Sequence, residues 1–155
     1  MIRRANAEDV ENVKELLKQV LKVHADGRPD IFIADTTKYT NEELIEIFND
    51  DSKPVFVYVD KNGKAVGHAF CLIEEIKNCN NMHDMKSIYI DDICVDQNHR
   101  HQGIATALYN HVIDYAKKLE CYHVTLNVWE INPGAKQFYQ SMGMKPLKTT
   151  MELII

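Results

Sequence analysis

The segment NHRHQGIATALY, residues 98–109, brings together residue types that bind anions. Arg100 has a permanent charge that can hold two phosphate oxygens at once, and His101 and Gln102 add hydrogen-bond donors. The apolar spacing after Gly103 is typical of a helix, whose first turn has unpaired N–H groups at the positive end of the helix dipole. Because glycine lets a ligand come close to the backbone, we expect a phosphate or diphosphate site here.

The same residues have a simpler interpretation. Arg100 and His101 can be solvated loop side chains, with Gly103 required only for its backbone angles. Two familiar phosphate loops, G-x-G-x-x-G and G-x-x-x-x-G-K-[ST], are absent from this sequence of six glycines. The remaining pattern, R-x-x-G-x-A after a strand, is compatible with an anion site but does not identify the anion.

A pair of carboxylates, Asp91 and Asp92, lies in the strand-like segment before this loop. Carboxylates attract a cationic amine, and one of them can take the proton that an amine must lose before it attacks a carbonyl. Since strand side chains alternate between two faces, only one of the pair is expected to face an acceptor unless a β-bulge intervenes. Alternatively, both are solvated charges that protect a strand edge.

Hydrophobic spacing and turn residues predict the elements that position these groups. Asn6, Thr40 and Asn132 are expected helix N-caps, Gly63 is typical of a hairpin turn, and Gly143 is expected to end the last helix. The predicted strands cover residues 1–5, 54–59, 65–76, 87–95, 123–129 and 149–155. The predicted helices are one of about 16 residues that includes 10–21, a shorter one after the Thr40 cap that includes 44–48, and two around 103–119 and 133–142. This order predicts a mixed sheet with helices on its faces, of the α/β or α+β class.

Length and composition favour an ordinary globular protein. The 155 residues predict one domain over 1–155, and 45% are hydrophobic against 26% charged. Lys and Arg number 18 against 23 Asp and Glu, and this net charge of −5 disfavours nucleic acid as a partner and favours a cationic small molecule. No apolar run is long enough for a membrane span and no signal-peptide pattern is present, which predicts a cytoplasmic protein without a membrane partner.

The cysteines and histidines show no metal-ligand spacing. The four cysteines form no C-x-x-C pair and the histidines no H-x-x-x-H pair, so reduced thiols and no metal site are expected.

Two segments resemble motifs of the GNAT acetyltransferases. VDQNHRHQGIATALY is similar to motif A of that family, R/Q-x-x-G-x-G/A, in which the fourth strand leads into a pyrophosphate-binding loop and the third helix. LNVWEINPGAKQFYQSMGM is similar to motif B, with Asn132, Ala135, Phe138, Tyr139 and Gly143 in the usual register. The two motifs and the order of elements extend the resemblance over essentially the whole chain. The sequence departs from the family at Ala105, where many members have glycine, and at His101 and Gln102, where many have Gly-Lys or Gly-Gln.

The resemblance implies a GNAT fold: a mixed, mostly antiparallel sheet of six to seven strands, about four helices, and splayed strands four and five. It also implies acetyl-CoA as co-substrate, with the pantetheine arm between IYIDDICV and HVTLNVW and a backbone N–H near Cys94 or Val95 polarising the thioester carbonyl. The residues thereby expected to bind the coenzyme are Ile93, Cys94, Val95, Arg100, His101, Gln102, Gly103, Ile104, Ala105, Thr106, Asn132, Ala135, Phe138 and Tyr139.

Catalytic roles follow from the same resemblance. Tyr139 is expected to be the general acid for the departing thiolate, although helical spacing would also let it serve only in packing. Asp91 and Asp92 are expected to act as base or to attract the amine, and YIDDICV is similar to the acidic pair of diamine and polyamine acetyltransferases, which favours Asp91 as the acceptor-facing carboxylate. Asp26 and Asp30 would extend an acidic approach to this site.

The expected activity is an N-acetyltransferase that transfers acetyl from acetyl-CoA to a primary amine of a small molecule, by direct attack in a ternary complex, with a polyamine or diamine favoured. One alternative acceptor is a protein N-terminus or an amino acid. An alternative of another class is a non-catalytic module that binds acetyl-CoA. A homodimer is also consistent with the resemblance.

Overall fold

Five strands form one mixed sheet in the order β1-β2-β3-β4-β5 in the computed structural model, which describes residues 1–155. The strands are β1 (Ile2–Arg4), β2 (Val55–Val59), β3 (Ala65–Ile76), β4 (Met85–Val95) and β5 (His123–Leu126). The α-helices are α1 (Val10–Gly27), α2 (Asn41–Phe48), α3 (Ile104–Lys118) and α4 (Pro133–Ser141). β1 to β4 are antiparallel, whereas β5 runs parallel to β4 after the α3 crossover.

Local chemistry sets most helix ends as the sequence predicts. Thr40 forms the capping box of α2 with Glu43, and the side chain of Asn132 accepts from the N–H of Ala135 to cap α4. Gly143 has φ +92° and the Met144 N–H donates to the Tyr139 carbonyl, so a Schellman turn ends α4. Asn6 differs from expectation because it caps a short 3₁₀ turn, residues 7–9, that precedes α1.

The sheet separates two apolar cores. On one face, α1 and α2 pack on β2 and β3 through residues such as Val13, Leu44, Val57 and Phe70. On the other face, α3 packs through Leu108 and Val112, and α4 adds Phe138 and Tyr139 at its border; these side chains belong to one cluster with Ile88 and Ile90 of β4. The two layers therefore hold β4 rigidly from both sides. No α-helix of the chain is both long enough and apolar enough to span a bilayer.

The β3–β4 ladder contains a bulge at the carboxylate pair. Phe70 lies opposite Asp92 and Cys71 lies opposite Ile90, so Asp91 is the extra residue with no partner across the ladder. The parallel β4–β5 ladder ends at the same point, with Ile90 opposite Leu126. Beyond it, β4 continues to Val95 with a neighbour only on the β3 side, so β4 and β5 part where the family resemblance expects them to.

The number of strands was predicted wrongly. The sheet has five strands rather than six to seven, because the segment TTMELII, residues 149–155, forms no strand and residues 145–155 make no backbone hydrogen bond. A strand needs a partner, and this segment pairs with no strand of the chain. The strand predicted over 123–129 is also shorter and ends at Leu126, where the bulge in β4 ends the parallel pairing.

Candidate functional site

The loop before α3 has a run of unpaired backbone donors. From Arg100 to Thr106, no backbone N–H donates to any protein group, and the first bond of the helix joins the Ala107 N–H to the Gly103 carbonyl. Gly103 is the N-cap at φ +76°, and it has no side chain to satisfy these donors. The N–H groups therefore converge at the positive end of the α3 dipole, which is the arrangement that binds phosphate.

A cleft of about 310 Å³ lies over this loop. Its lining combines the end of β4, the loop, the first turn of α3 and one residue of α4. The lining residues are Val95, His99, Arg100, His101, Gly103, Ile104, Ala105, Thr106 and Phe138. The structure thus brings together residues of both sequence motifs, whereas the exposed side chain of Gln102 lies outside the lining.

Asp96 fixes this loop to α1. Its carboxylate accepts from the Gln19 side chain at 3.0 Å and from the Asn98 N–H at 2.8 Å, and it contacts His99 Nδ1 at 3.1 Å. Burial alone would raise the pKa of Asp96, but these hydrogen bonds lower it to about 2. The loop before α3 is therefore held by an ionised carboxylate at neutral pH.

His101 has a strained backbone within the loop. Its φ of +61° lies in the left-handed region, which residues with a Cβ rarely adopt. This is the position where the family resemblance leads us to expect glycine. This conformation keeps the loop curved around the cleft. A positive φ costs conformational energy at a residue with a Cβ, so glycine is favoured at this position.

Only every second residue of β4 directs its backbone N–H and C=O groups to the edge that β5 leaves unpaired. The Asp96 N–H donates to the Val66 carbonyl, and His68 lies opposite Cys94, so the backbone groups of Cys94 face β3 in an antiparallel ladder. The backbone groups of Ile93 and Val95 consequently face the gap where β5 has ended. This geometry favours Ile93 and Val95 over Cys94 as backbone partners of an extended ligand, and Val95 also lines the cleft.

The bulge turns both carboxylates toward the α1–α2 side of the sheet. Asp91 forms an ion pair with Lys38 at 2.6 Å, and Asp92 Oδ2 lies 2.5 Å from His68 Nε2. Lys38 and Tyr39 belong to the same loop, and Tyr39 stacks on Phe70, which lies opposite Asp92. The alternation of strand faces therefore does not separate the pair, as the bulge alternative allowed.

His68 was not predicted as a functional residue. It is completely buried on β3, edge-on to Phe70, and its Nδ1 is a buried side-chain atom without a partner. A hydrogen on Nδ1 would be an unsatisfied buried donor, so the ring favours the tautomer in which Nε2–H donates to Asp92. The available signal was one polar residue inside the apolar run AVGHAFCLI.

Tyr139 lies on α4 between Tyr109 and Phe138, with ring centroids 6.4 and 5.2 Å away. Burial, followed by the nearby charge of Asp92, raises the pKa of Tyr139, and no hydrogen bond contributes to the change. The hydroxyl therefore stays protonated at neutral pH and is free to donate. Two turns earlier, the cap uses Asn132 Oδ1, which leaves its amide nitrogen available.

An aromatic wall borders the carboxylate pair. Phe32 lies 5.0 Å from the His24 ring and 5.2 Å edge-on from Trp129, which is 39% exposed. Burial lowers the pKa of His24, Asp92 opposes this effect and Lys38 adds to it, so His24 lies within electrostatic range of both side chains. His24 lies on α1, Phe32 lies in the loop that follows it, and Trp129 lies in the segment after β5.

Asp26 and Asp30 are not gathered at the carboxylate pair. Asp26 forms an exposed ion pair with Lys22 one helical turn earlier, and Asp30 pairs with Arg28. Both carboxylates are thus neutralised at the surface, where such pairs contribute little. Their role in attracting a substrate stays a prediction.

Comparison with known proteins places the fold and the family. A sequence model described as the acetyltransferase (GNAT) family matches residues 17–144. The uncharacterized N-acetyltransferase MJ1207 of Methanocaldococcus jannaschii is 38% identical over 93 residues, which are 58% of this chain. The match covers 38% of that relative, so the chain spans well under half the length of this curated protein.

Solved structures agree over the full chain. A mutant of the BH1408 protein from Bacillus halodurans has a TM-score of 0.96 and 31% identity, with 100% of this chain and 99% of that chain covered. An aminoglycoside acetyltransferase from an uncultured soil metagenomic sample, crystallised with sisomicin, has a TM-score of 0.75 and 19% identity, with 100% and 94% covered. At that identity the second comparison concerns the fold alone.

Proposed function

Because this chain belongs to the acetyltransferase (GNAT) family, whose members use acetyl-CoA as co-substrate, we propose that it transfers acetyl from acetyl-CoA to a primary amine of a small molecule. One observation carries the proposal. The run of unpaired N–H groups from Arg100 to Thr106 borders a cleft that reaches Val95 at the end of β4, and the edge of β4 without a β5 partner runs from Val95 back to the bulge beside Asp92. The candidate anion site, the unpaired edge of β4 and the carboxylate of Asp92 are thus arranged in sequence along β4.

These residues fit the coenzyme. The N–H groups of the loop and the guanidinium of Arg100 suit a pyrophosphate, which needs several donors and a positive potential. Ile93 and Val95 have backbone groups suited to the amides of a pantetheine arm, as in the addition of a strand to a sheet edge. The N–H of Val95 is the better candidate to polarise the thioester carbonyl, because that of Cys94 faces β3.

Asp92 is assigned as the proton acceptor. Acetyl-CoA supplies the acetyl group as a thioester, so the reaction forms a C–N bond and breaks a C–S bond. The cationic amine loses two protons: the second passes to the departing sulfur by way of Tyr139, and the first must leave before the nitrogen can attack. Asp92 takes that first proton, directly or through a water, while His68 holds the other side of its carboxylate. Asp91 is the weaker candidate, because its charge is already balanced by Lys38.

Tyr139 is assigned as the donor to the departing sulfur. Its hydroxyl is protonated, has no hydrogen-bond partner in the protein and lies near Asp92. A hydrogen bond from this hydroxyl stabilises the thiolate as the C–S bond breaks. The negative charge that develops on the sulfur is therefore stabilised by the Tyr139 hydroxyl, close to the carboxylate of Asp92.

The cysteines favour direct attack by the amine over an acetyl-enzyme intermediate. Burial raises the pKa of Cys71 and of Cys94 to about 12, so both thiols stay protonated. The thiolate is the nucleophilic form of cysteine, so neither residue suits an acyl carrier. A ternary complex is the simpler route.

The acceptor is proposed to be an amine that approaches past the aromatic wall of His24, Phe32 and Trp129. The faces of Phe32 and Trp129 attract a cationic amine until it loses its proton to Asp92. A polyamine or diamine remains the favoured example, with its first amine at Asp92.

A second acceptor class is favoured by Lys38. Although burial opposes it, the hydrogen bond and charge of Asp91 raise the pKa of Lys38, so a cation is held beside the catalytic carboxylate. An acceptor with its own carboxylate, such as an amino acid, would find a partner in this ammonium group. In a diamine the second ammonium group would contact Asp91, whereas in an amino acid the carboxylate would contact Lys38.

The test is release of free thiol from acetyl-CoA in the presence of polyamines, aminoglycosides, amino acids and peptides. We expect turnover on at least one amine, and Tyr139→Phe should lower kcat by about 100-fold while KM for acetyl-CoA stays nearly constant. Tyr122→Phe, at an exposed tyrosine remote from the cleft lining, is the matched control. Tight binding of acetyl-CoA without turnover on any acceptor would instead support a non-catalytic binding module.

A further inference from the structure

Lys38 brings a primary amine of the chain itself to the carboxylate pair. Its Nζ lies 2.6 Å from Asp91 Oδ2, and its side chain is 49% exposed. The loop between α1 and α2 carries Lys38 to this place, although Asp91 is 53 residues away along the sequence. None of the ion pairs of the other lysines involves Asp91 or Asp92. The fold thus places the acceptor group of the proposed reaction next to its proposed base.

Two further neighbours locate the ammonium group of Lys38. Its Nζ lies 5.3 Å from the ring centroid of Tyr39, the next residue of the loop. Burial, followed by the charge of Asp91, raises the pKa of Tyr89, and the charge of Lys38 opposes this effect, so the ammonium group lies within electrostatic range of that phenol. Tyr89 lies opposite Thr125 of β5, one residue before the parallel ladder ends. Lys38 is therefore held close to the point where β4 and β5 separate.

The bulge shortens the path from Asp91 to Asp92. It turns both carboxylates to the same side of the sheet, and the Cα atoms of adjacent residues are only about 3.8 Å apart. A lysine side chain is flexible and that of Lys38 is half-exposed, so rotation about its last bonds moves Nζ from one carboxylate to the other. His68 contacts Oδ2 of Asp92, which leaves Oδ1 to receive the amine.

We infer that Lys38 is an internal acetyl acceptor, modified by the chain's own site when no free amine is bound; this inference rests on the function proposed above. Nζ of Lys38 forms a bond to the carbonyl carbon of the acetyl group, and the C–S bond of acetyl-CoA breaks. The ammonium group loses its first proton to the carboxylate pair and from there to solvent, and its second proton passes to the sulfur by way of Tyr139. The products are an acetamide on Lys38, the free thiol of CoA and one proton.

Acetylation of Lys38 changes the charge of the acceptor site. An acetylated lysine is neutral, so the ion pair with Asp91 is lost and the carboxylate of Asp91 is released to contact a cationic acceptor. The modification also removes the ammonium group that would bind the carboxylate of an amino acid. The modified protein should therefore favour diamines over amino acids more strongly than the unmodified protein does. Because an acetamide does not accept a second acetyl group, the change occurs once per chain.

The test is incubation of the protein with acetyl-CoA without a free amine, followed by mass spectrometry of the intact chain and of its peptides. Lys22 is the internal control, because it also pairs with an aspartate, Asp26 at 2.7 Å, and its side chain is 75% exposed. We expect Lys38 to be acetylated at least about tenfold faster than Lys22, at a rate that saturates with acetyl-CoA and does not change with protein concentration. Lys38→Arg, which keeps a charge beside Asp91, should lose this acetyl group, whereas Lys22→Arg should retain it.

Thiol release with the panel of free amines, measured on the same samples, separates this inference from the proposed function. Acetylation of Lys38 no faster than that of Lys22, in a protein that binds acetyl-CoA, would overturn the inference, and turnover of a free amine by that protein would leave the proposed function intact. A rate at Lys38 that rises with protein concentration would assign the reaction to a second copy and would also overturn the inference. Absence of both acetyl-CoA binding and turnover would overturn the proposed function and, with it, the inference.

Discussion

His68 Nε2 lies 2.5 Å from Asp92 Oδ2 across the β3–β4 ladder, while His68 Nδ1 has no partner. The histidine therefore orients Oδ2 and leaves Oδ1 of the same carboxylate free to accept a proton. A completely buried imidazole is a firm support, because the packed core around Phe70 limits its movement. In this arrangement His68 is a positioning residue and Asp92 is the catalytic one.

Removal of the imidazole should weaken catalysis through Asp92 alone. We expect His68→Leu to lower kcat by about tenfold or more, and Asp92→Asn by about 100-fold, with KM for acetyl-CoA nearly unchanged in both. His68→Gln, which retains a donor nitrogen, should recover part of the loss. The acidic limb of the pH profile of kcat/KM should change in both single variants.

The double variant provides the control for this coupling. If His68 acts only through Asp92, His68→Leu combined with Asp92→Asn should be no slower than Asp92→Asn. Multiplied effects would show that the histidine has a separate role.

The ion pair of Lys38 with Asp91 should decide between acceptor classes. Lys38→Met frees the charge of Asp91 and removes the cation, so kcat/KM should rise for diamines and fall for amino acids, by about three- to tenfold each. The measurement is the ratio of kcat/KM on a diamine to that on an amino acid, compared with the same ratio for Lys18→Met, whose ammonium group pairs with Glu15 on the surface. An unchanged ratio would mean that neither charge meets the acceptor.

The two sequence motifs predicted the local backbone of the loop before α3 and of α4 well, because backbone geometry follows directly from residue type. Gly103 has the positive φ that its position requires, Asn132 and Pro133 begin α4, and the loop between β4 and α3 has the expected free donors. These features are local, so sequence distance is a sufficient guide. The family comparison confirms the acetyltransferase prediction at the level of the family.

The acceptor side depends on contacts that spacing along the chain does not encode. The pairing of His68 with Asp92 requires the β3–β4 register, and the bulge at Asp91 cancels the alternation from which two faces were expected. Lys38 reaches Asp91 from a loop 53 residues away. Residues 149–155 show the same limit, since residue types predicted a strand there but the segment pairs with no strand of the chain.

One backbone N–H can be removed from the anion site without removing a side-chain contact. Ala105→Pro lies in the first turn of α3, where proline is tolerated, and it deletes one of the unpaired donors. We expect KM for acetyl-CoA to rise about tenfold with kcat nearly constant, because one hydrogen bond to a charged ligand is lost. Ala105→Ser keeps the N–H and should behave as wild type; similar KM values for both variants would contradict a role for this donor.

The strained backbone of His101 predicts a stabilising substitution. His101→Gly should raise the free energy of unfolding by about 0.5–1 kcal/mol, because glycine adopts φ +61° without a Cβ clash and this gain exceeds its greater loss of chain entropy. Gln102→Gly, at a neighbour without a positive φ, should lower stability and serves as control. Urea unfolding measures both, and a loss of stability in His101→Gly would show that the imidazole side chain makes a contribution larger than the strain.

The ionisation of Asp96 should make the free energy of unfolding depend on pH in the acidic range. Its pKa falls from 3.8 to about 2 on folding, so its contribution of about 2 kcal/mol is fully present above pH 3.8 and is lost as the pH falls through about 2. Asp96→Asn should therefore cost about 2 kcal/mol at pH 7, and the difference from wild type should shrink between pH 4 and 2. Asp114→Asn, an exposed partner of Lys117, should change stability little at any pH. Urea unfolding over this range checks the prediction, and a gap that stays constant with pH would assign the effect of Asp96 to neutral hydrogen bonding rather than to its charge.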